Sequence, residues 1–312
     1  MVALRTYDDL PRPLPDGLPV SRRDTACLLE AGAWIRLLGS LVDEPASDRH
    51  PVLVCIDLDA ATGIDAADAG ETRLGTALAA LALPPVADVY GFHSGSRSEA
   101  KALQRRVAEV MPRGGVQFEL ALDRAAALSR ARDLGQVAVV DGPKIIVSYG
   151  SASRLPFAFR EILRGVGSRR TLVRAPGRCA TSLDALAAFC FQERRVDLVL
   201  GLPREAHRRE VIEATLRDPS ADQMLCDLFG SSAWRPIVRA DLGAAPRMLR
   251  ALYAQRIRTQ LGLHVGDELL GPGKWAPAKP IFATTHERRL QLWREATSGL
   301  ASPPDELYLD GA

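Results

Sequence analysis

The chain has 312 residues, of which 47% are hydrophobic and 25% are charged, so it can bury a sizeable core and is not a disordered polymer. Because 40 Lys and Arg face 38 Asp and Glu, the formal net charge is only +2, and no strong field attracts nucleic acid or anionic lipid. No apolar run approaches about 18 residues, and prolines break the N-terminus where a signal peptide would need an apolar core. We therefore expect a cytoplasmic protein without a membrane span.

The first 20 residues are rich in proline and predict an extended N-terminal arm, either a tail or a partner-binding segment. Ser21 or Asp24 could cap a helix over 27–43, where apolar residues recur at helical spacing. The run over 51–63 is apolar, β-branched and acidic at its end, which is typical of a buried parallel strand and its turn. Strands and helices then alternate, with helices expected at 72–83, 99–111, 125–134, 157–166 and 182–195, and strands at 87–96, 116–122, within 136–150, 171–177 and 196–203.

This alternation predicts a doubly wound, mostly parallel, Rossmann-like α/β sheet with helices on both faces. After Pro203 the pattern becomes mainly helical. We therefore divide the chain into an N-terminal arm (1–20), a Rossmann-like core (21–205) and a helical elaboration (206–312). The last strand and helix of that elaboration are expected to pack on the core. Its expected elements are helices at 208–216, 221–228, 246–261 and 288–297, and a strand at 279–285.

The five cysteines are odd in number and widely scattered, at positions 27, 55, 179, 190 and 226. No CxxC or Cys/His spacing appears, so we expect buried free thiols and neither a disulfide framework nor a metal site.

Polar residues follow the first two strands of the expected core, where ligands of such sheets bind. Asp57 and Asp59 are general-base candidates, but the loop that follows them has only Gly63 where a cofactor-binding loop needs several glycines. A turn with solvated aspartates explains the same residues. The second strand ends in His93 and Ser94, and His93 is either an acid–base group or a packed histidine.

A third polar segment, 140–144, places a carboxylate beside Lys144 at a turn. Lys144 could handle an anionic group, or it could simply belong to a surface loop.

Several segments, in order, resemble the three-Cys-motif partner proteins. They are AGAWIRLLG, IDLDAATG, DLFG followed by WR, RALY and IFATTH, and together the resemblance spans about residues 25–298. It implies a class I methyltransferase-like fold built for S-adenosylmethionine (SAM).

This sequence departs from the family where chemistry is expected. Ala61 stands at a family glycine, and His93 or Ser94 stands at an acidic position. The family's Asp-Pro-Phe-Gly segment falls on Ser148-Tyr149-Gly150 or on Ala175-Pro176-Gly177, and neither keeps the aspartate. Asp57 and Gly63 are the cofactor contacts that survive if SAM is used.

The leading hypothesis is a repurposed methyltransferase-fold enzyme, or enzyme subunit with a small protein partner, that acts on a small molecule of secondary metabolism without SAM. One version is cyclisation with loss of an anionic leaving group such as sulfate, as in aziridine formation. Asp57, Asp59 or His93 would be the general base, and Lys144, Tyr149 and Arg154 would bind the substrate. A divergent SAM-dependent methyltransferase and a non-catalytic scaffold are the alternatives.

Overall fold

The structure is a computed structural model that describes most of the chain. The described residues are 13, 16–23, 25–42, 54–66, 72–83, 86–87, 89–110, 116–120, 144–149, 171–177, 182–192, 196–266 and 280–297. The strands are β1 (Ser21–Arg22), β2 (Val54–Asp57), β3 (Ile64–Ala66), β4 (Thr72–Leu74), β5 (Val89–Ser94), β6 (Val116–Leu120), β7 (Lys144–Tyr149), β8 (Thr171–Ala175), β9 (Val196–Leu200), β10 (His264–Gly266) and β11 (Ile281–Thr284). The helices are α1 (Thr25–Val42), α2 (Thr76–Ala82), α3 (Arg97–Val110), α4 (Leu183–Gln192), α5 (Arg204–His207), α6 (Arg209–Thr215), α7 (Pro219–Phe229), α8 (Trp234–Ala240), α9 (Ala245–Leu261) and α10 (Glu287–Thr297).

Eight of these strands form one sheet in the order β10-β11-β9-β8-β2-β5-β7-β6. Among them only β11 runs against the others, because it pairs antiparallel with β9 and β10 while every other pairing is parallel. From β2 the chain continues to β5 and then to the edge strand β6, returns to β7 between β6 and β5, and then crosses to β8 on the other side of β2. The fold is therefore α/β with a mixed, mostly parallel sheet, compatible with a Rossmann-like fold, and its strand order reverses between β2 and β8.

Helices cover both faces of the sheet, and side chains point to the two faces in alternation along each strand. Face A packs against α1, α2, α3 and α10, and Cys55 of β2 and Leu172 of β8 point to it. Face B packs against α4 to α9, and Val54, Ile56 and Val173 point to it. Strands hidden on both sides read as continuous apolar runs, which is why the sequence pattern identified β2, β8 and β9.

A second, three-stranded sheet in the order β1-β3-β4 was not predicted. Residues 72–74, expected to begin a helix, form β4 instead and pair antiparallel with β3, and α2 starts only at Thr76. Ser21 is not a helix cap either. It lies in β1, and its hydroxyl contacts the hydroxyl of Thr62 at 2.9 Å.

Two further helices of the C-terminal part differ from expectation. The helix expected over 208–216 is confirmed as α6, whereas α5 and α8 were not predicted. The helices expected over 125–134 and 157–166 lie outside the described residues.

Four cysteines lie in described positions and all have free thiols: Cys27, Cys55, Cys190 and Cys226. The expectation was of buried free thiols, and the expected burial is confirmed for Cys55 and only partial for the other three. Cys55 is fully buried, and burial raises the pKa of its thiol, whereas the other three are half-buried.

Candidate functional site

The carboxylate of Asp57 lies at the carboxyl end of β2 and is almost completely buried. Its Oδ1 accepts hydrogen bonds from Arg174 Nη1 at 2.8 Å and from the backbone N–H of Asp59 at 2.9 Å. The hydroxyl of Thr76, the first residue of α2, donates to Oδ2. Asp57 is thus held by groups from the next strand, its own loop and a neighbouring helix.

Asp59 belongs to a second buried ion pair, with Arg23. The Arg23 guanidinium donates from Nη1 to Asp59 Oδ2 at 2.5 Å and from Nε to Asp65 Oδ1 at 2.8 Å. All three side chains are at most 6% exposed. Burial alone would lower the pKa of the Arg23 guanidinium, but Asp65, with smaller contributions from Cys27 and Asp57, raises the pKa by more, so the guanidinium stays charged.

Glu30 of α1 is a further buried carboxylate at the same edge of the sheet. Its Oε1 accepts a long hydrogen bond, 3.4 Å, from the backbone N–H of Gly177, just past β8. A Cβ at Gly201, just past β9, would collide with both the Glu30 carboxylate and the Gly177 nitrogen. Burial alone would lower the pKa of Arg174, but Asp57 and then Glu30 raise it, so Glu30 lies within electrostatic reach of this arginine.

Every backbone N–H from residue 58 to residue 63 donates to an acceptor of the protein itself. This loop follows β2 and its residues are buried. The N–H groups of Ala60 and Ala61 share the carbonyl oxygen of His93, at 2.8 and 3.3 Å. The other four bonds run from residue 58 to the carbonyl of Arg174, from 59 to the Asp57 carboxylate, from 62 to the Ser21 hydroxyl and from 63 to the carbonyl of Ala60.

The backbone of this loop has the conformation of a glycine-rich turn although it contains one glycine. Ala61 has φ +44°, and among the described residues other than glycine it alone lies in the left-handed region. Gly63 has φ +78°, and a Cβ there would touch the side chains of Leu78 and Leu103. Gly63 is thus required by local geometry, whether or not a ligand binds.

Residues 16–23, which we call the strap, cover this loop. Arg106 of α3 holds the strap: its Nε and Nη2 bond to both carboxylate oxygens of Asp16, at 2.6 and 2.9 Å. Nη1 of the same guanidinium donates to the carbonyl oxygens of Pro19 and Thr62, at 2.9 and 2.8 Å. The part of the N-terminal arm that is described therefore packs against the chain's own core.

His93 and Asp57 point to opposite faces of the sheet. Asp57 pairs in register with Phe92, which belongs to the core of face A, and His93 is the next residue along β5. Ser94 returns to face A, where its hydroxyl donates to the carbonyl oxygen of Ala61 at 2.7 Å. The structure thus brings Asp57 and Asp59 together with two arginines, whereas His93, which is also buried, lies apart from them.

The expected substrate-binding residues fall on or beyond β7. Tyr149 ends β7 beside Ser94, at the same edge of the sheet as Asp57, whereas Lys144 begins β7 beside Val89, at the opposite edge and away from the other predicted site residues. The side chains of both residues lie outside what the structure describes, as does Arg154 entirely. Because β8 and not β7 lies beside β2, Ala175-Pro176-Gly177 is the segment at the point where strand order reverses.

Sequence reasoning missed the groups that complete this cluster: Arg23, Glu30, Thr76 and Arg174. A helical projection of α1 could have found Glu30, because it shares a face with the buried residues Trp34, Leu37 and Leu41. Arg174 could have been noticed as a charge inside an otherwise apolar strand.

Comparisons with protein-family models, curated proteins and solved structures found no match for this chain. Among the described residues, no group of three His, Cys, Asp or Glu side chains is placed to hold a metal ion. None of the helices in the described part of the chain is long and apolar enough to cross a membrane.

Proposed function

We propose that this chain is an enzyme, or the subunit of an enzyme, that has a methyltransferase-like fold and acts on a small molecule without using SAM. The observation that carries the proposal is the loop of residues 58–63, in which all six backbone donors are already bonded within the protein. A loop that binds a nucleotide-like cofactor must offer N–H groups or close backbone approach to it. To offer them, this loop would have to break its own hydrogen bonds and displace the strap.

The neighbouring strand ends also fit SAM poorly. The Asp57 carboxylate already accepts from three groups, and Ser94, at a position where an acidic residue would accept from ribose hydroxyls, donates inward to Ala61. We therefore route no chemical step through SAM. The doubly wound strand order and the position of Ala175-Pro176-Gly177 beside β2 support the finer assignment of a methyltransferase-like sheet.

The three general-base candidates differ in what a proton transfer would cost them. Asp57 and Asp59 would each have to give up a buried arginine, which is expensive in a low-dielectric interior. We therefore assign them the role of holding the strand ends in place and keep His93 as the general-base candidate.

In the cyclisation version, a substrate amine attacks a carbon that carries a sulfate ester. The new C–N bond forms as the C–O bond breaks, the electron pair leaves with the sulfate, and the amine proton passes to the general base. The buried cluster contains more carboxylates than guanidiniums, so the positive charge near the departing sulfate would come from Arg154. Lys144 is less suited to this role, because it begins β7 at the opposite end of the sheet from Asp57.

Calorimetric titration of the full chain with SAM and with S-adenosylhomocysteine tests the proposal. We expect no binding at millimolar ligand, and the same result with Ala61→Gly, because that change frees none of the bonded amides. Binding at micromolar ligand would overturn the proposal and favour a methyltransferase with an unusual pocket. A partner protein could still bind when Asp57→Ala and His93→Ala are combined, while the complex of the unaltered chain with that partner turns over no substrate. That result would instead favour a scaffold.

A further inference from the structure

One edge of the Arg174 guanidinium, formed by Nε and Nη2, donates to no acceptor in the described part of the chain. Its hydrogen bonds there all start from Nη1, which donates to Asp57 Oδ1 at 2.8 Å and to Thr76 Oγ1 at 3.3 Å. Nε is buried and has no hydrogen-bond partner, although the side chain is only 2% exposed. A buried donor left unbonded costs about 1–3 kcal/mol, so such a group calls for a ligand or an ordered water.

The position of this edge is that of a ligand site and not of a structural bridge. Arg174 lies near the carboxyl end of β8, directly beside Asp57 in register, at the point where strand order reverses. Nε and Nη2 form the side of the guanidinium that can donate two parallel hydrogen bonds to oxygen atoms. The bond from Nη1 to Asp57 fixes the plane of the group, so this edge is oriented before any ligand arrives.

The surrounding charges decide which oxygen acceptor fits. Arg174 and Arg23 interact with each other and with a set of four buried carboxyl groups, Glu30, Asp57, Asp59 and Asp65. The cluster thus has four formally negative groups against two positive ones. An anion brought to Arg174 would be repelled by the surplus, whereas a neutral carbonyl oxygen accepts the same hydrogen bonds without that penalty.

We infer that the Nε/Nη2 edge of Arg174 binds a neutral oxygen acceptor, an amide or ester carbonyl, of the small-molecule substrate. This inference rests on the proposed function in taking the ligand to be a small molecule, and it names the chemical class of the part that reaches β8. A negatively charged part of the same substrate would lie elsewhere in the site.

Acetamide and acetate are matched probes, because they have nearly the same shape and differ in charge. We would follow the Arg174 Nε–H resonance of the nitrogen-15-labelled full chain at constant ionic strength, assigned by its loss in Arg174→Lys. We expect acetamide to shift this resonance saturably with a dissociation constant about tenfold below that of acetate. The Nε–H of Arg106, bonded to Asp16, is an internal control that should not move.

A variant of the carboxylate cluster separates charge from shape. Asp57→Asn keeps an oxygen acceptor for Arg174 but removes one negative charge. The affinity for acetate should therefore rise relative to the affinity for acetamide. Acetate binding as tightly as acetamide to the unaltered chain would overturn the inference in favour of an anion site. A resonance that neither probe moves would overturn it in favour of a buried water. Neither result depends on the SAM titration, so the inference and the proposed function can fail separately.

Discussion

Asp57 and Arg174 are 117 residues apart in the chain and direct neighbours across two strands. Each lies on the buried face A, where an unpaired charge would be very costly. Because each side chain needs the other as its counter-charge, neither can be replaced alone without loss of stability. Neither is free to exchange a proton with a ligand at this end of the sheet.

Removal of the Asp57 carboxylate should destabilise the whole protein. We expect Asp57→Ala to lower the free energy of unfolding by about 3–5 kcal/mol, because it leaves Arg174 buried without its counter-charge. Denaturant-induced unfolding measures the loss. The matched control is Glu213→Ala, which breaks an exposed pair with Arg209 on one helix and should cost at most about 0.5 kcal/mol. Equal losses in the two variants would contradict the burial argument.

Ala61 offers a test of backbone strain. Its φ of +44° is unfavourable for a residue with a Cβ, so Ala61→Gly should leave the free energy of unfolding unchanged or raise it by up to about 1 kcal/mol. Its neighbour Ala60 is equally buried but has no positive φ, so Ala60→Gly should lower stability by about 0.5–1 kcal/mol. Thermal unfolding of both variants checks the difference, and the same sign at both positions would refute it.

For each of these two buried ion pairs, the sequence identified the aspartate but not the arginine. It marked Asp57 and Asp59 by their position after an apolar strand, because that signal is local. It could not pair them with Arg174 and Arg23, because strand order and the path of the strap determine these contacts, and nothing near either arginine in the chain encodes them.

One side chain of α3 holds the first half of the strap. Arg106 is buried and joins Asp16, Pro19 and Thr62, so it connects the strap, the loop after β2 and α3. The hydrogen bond from Arg106 lowers the pKa of Asp16 to about 2. Because this pKa is below the ordinary value, the contribution of Asp16 to stability is present above about pH 4 and is lost as the pH falls towards 2.

We therefore expect the stability difference between the unaltered chain and Asp16→Asn to depend on pH. The difference should be largest near neutral pH and should shrink as the pH falls from about 4 towards 2, because Asp16 is protonated first in the unfolded chain and only then in the folded protein. Unfolding in denaturant across this range measures it. Leu216→Ala, at an exposed position without a titratable side chain, is the control, and its stability difference should not change over this range. A difference that stays constant to pH 2 would mean that the strap does not depend on this ion pair.

The longer helices and strands were predicted correctly from the sequence, and the shortest strands were not. Helix α9 and the buried strand β9 have strong local patterns, and both were located within a few residues. The strands β1, β3 and β4 have two or three residues each, too few to show a period. They form because partners arrive from elsewhere, as when Arg23 N–H donates to the carbonyl of Ala66 at 3.0 Å.

Over the whole molecule, residues of the expected core and of the expected helical elaboration share one hydrophobic cluster. Val54 and Ile56 of β2 belong to the same cluster on face B as Trp234 of α8 and Tyr253 of α9. The helices after Pro203 therefore complete the sheet that the first 200 residues build. This shared core implies that the two parts unfold together.

Trp234→Ala should therefore expose a thiol on the opposite face. We expect this change to cost about 3–5 kcal/mol and to raise the labelling rate of Cys55, which is buried on face A, roughly a hundredfold or more. Thiol labelling in a chain whose other four cysteines are alanine measures the rate. Leu216→Ala, at an exposed position, is the control. If Trp234→Ala destabilised the protein without changing the Cys55 rate, the two parts would be independent units.

The internally bonded loop of residues 58–63 also constrains how this protein can evolve. A single substitution that frees one of its amides also takes a donor away from a buried acceptor, such as the carbonyl oxygen of Ala60 or of Arg174. Each step that frees an amide therefore lowers stability before it creates any affinity for a nucleotide. Selection acting on one mutation at a time would keep the loop closed, and new activities would arise more readily from changes at the ends of β7, β8 and β9.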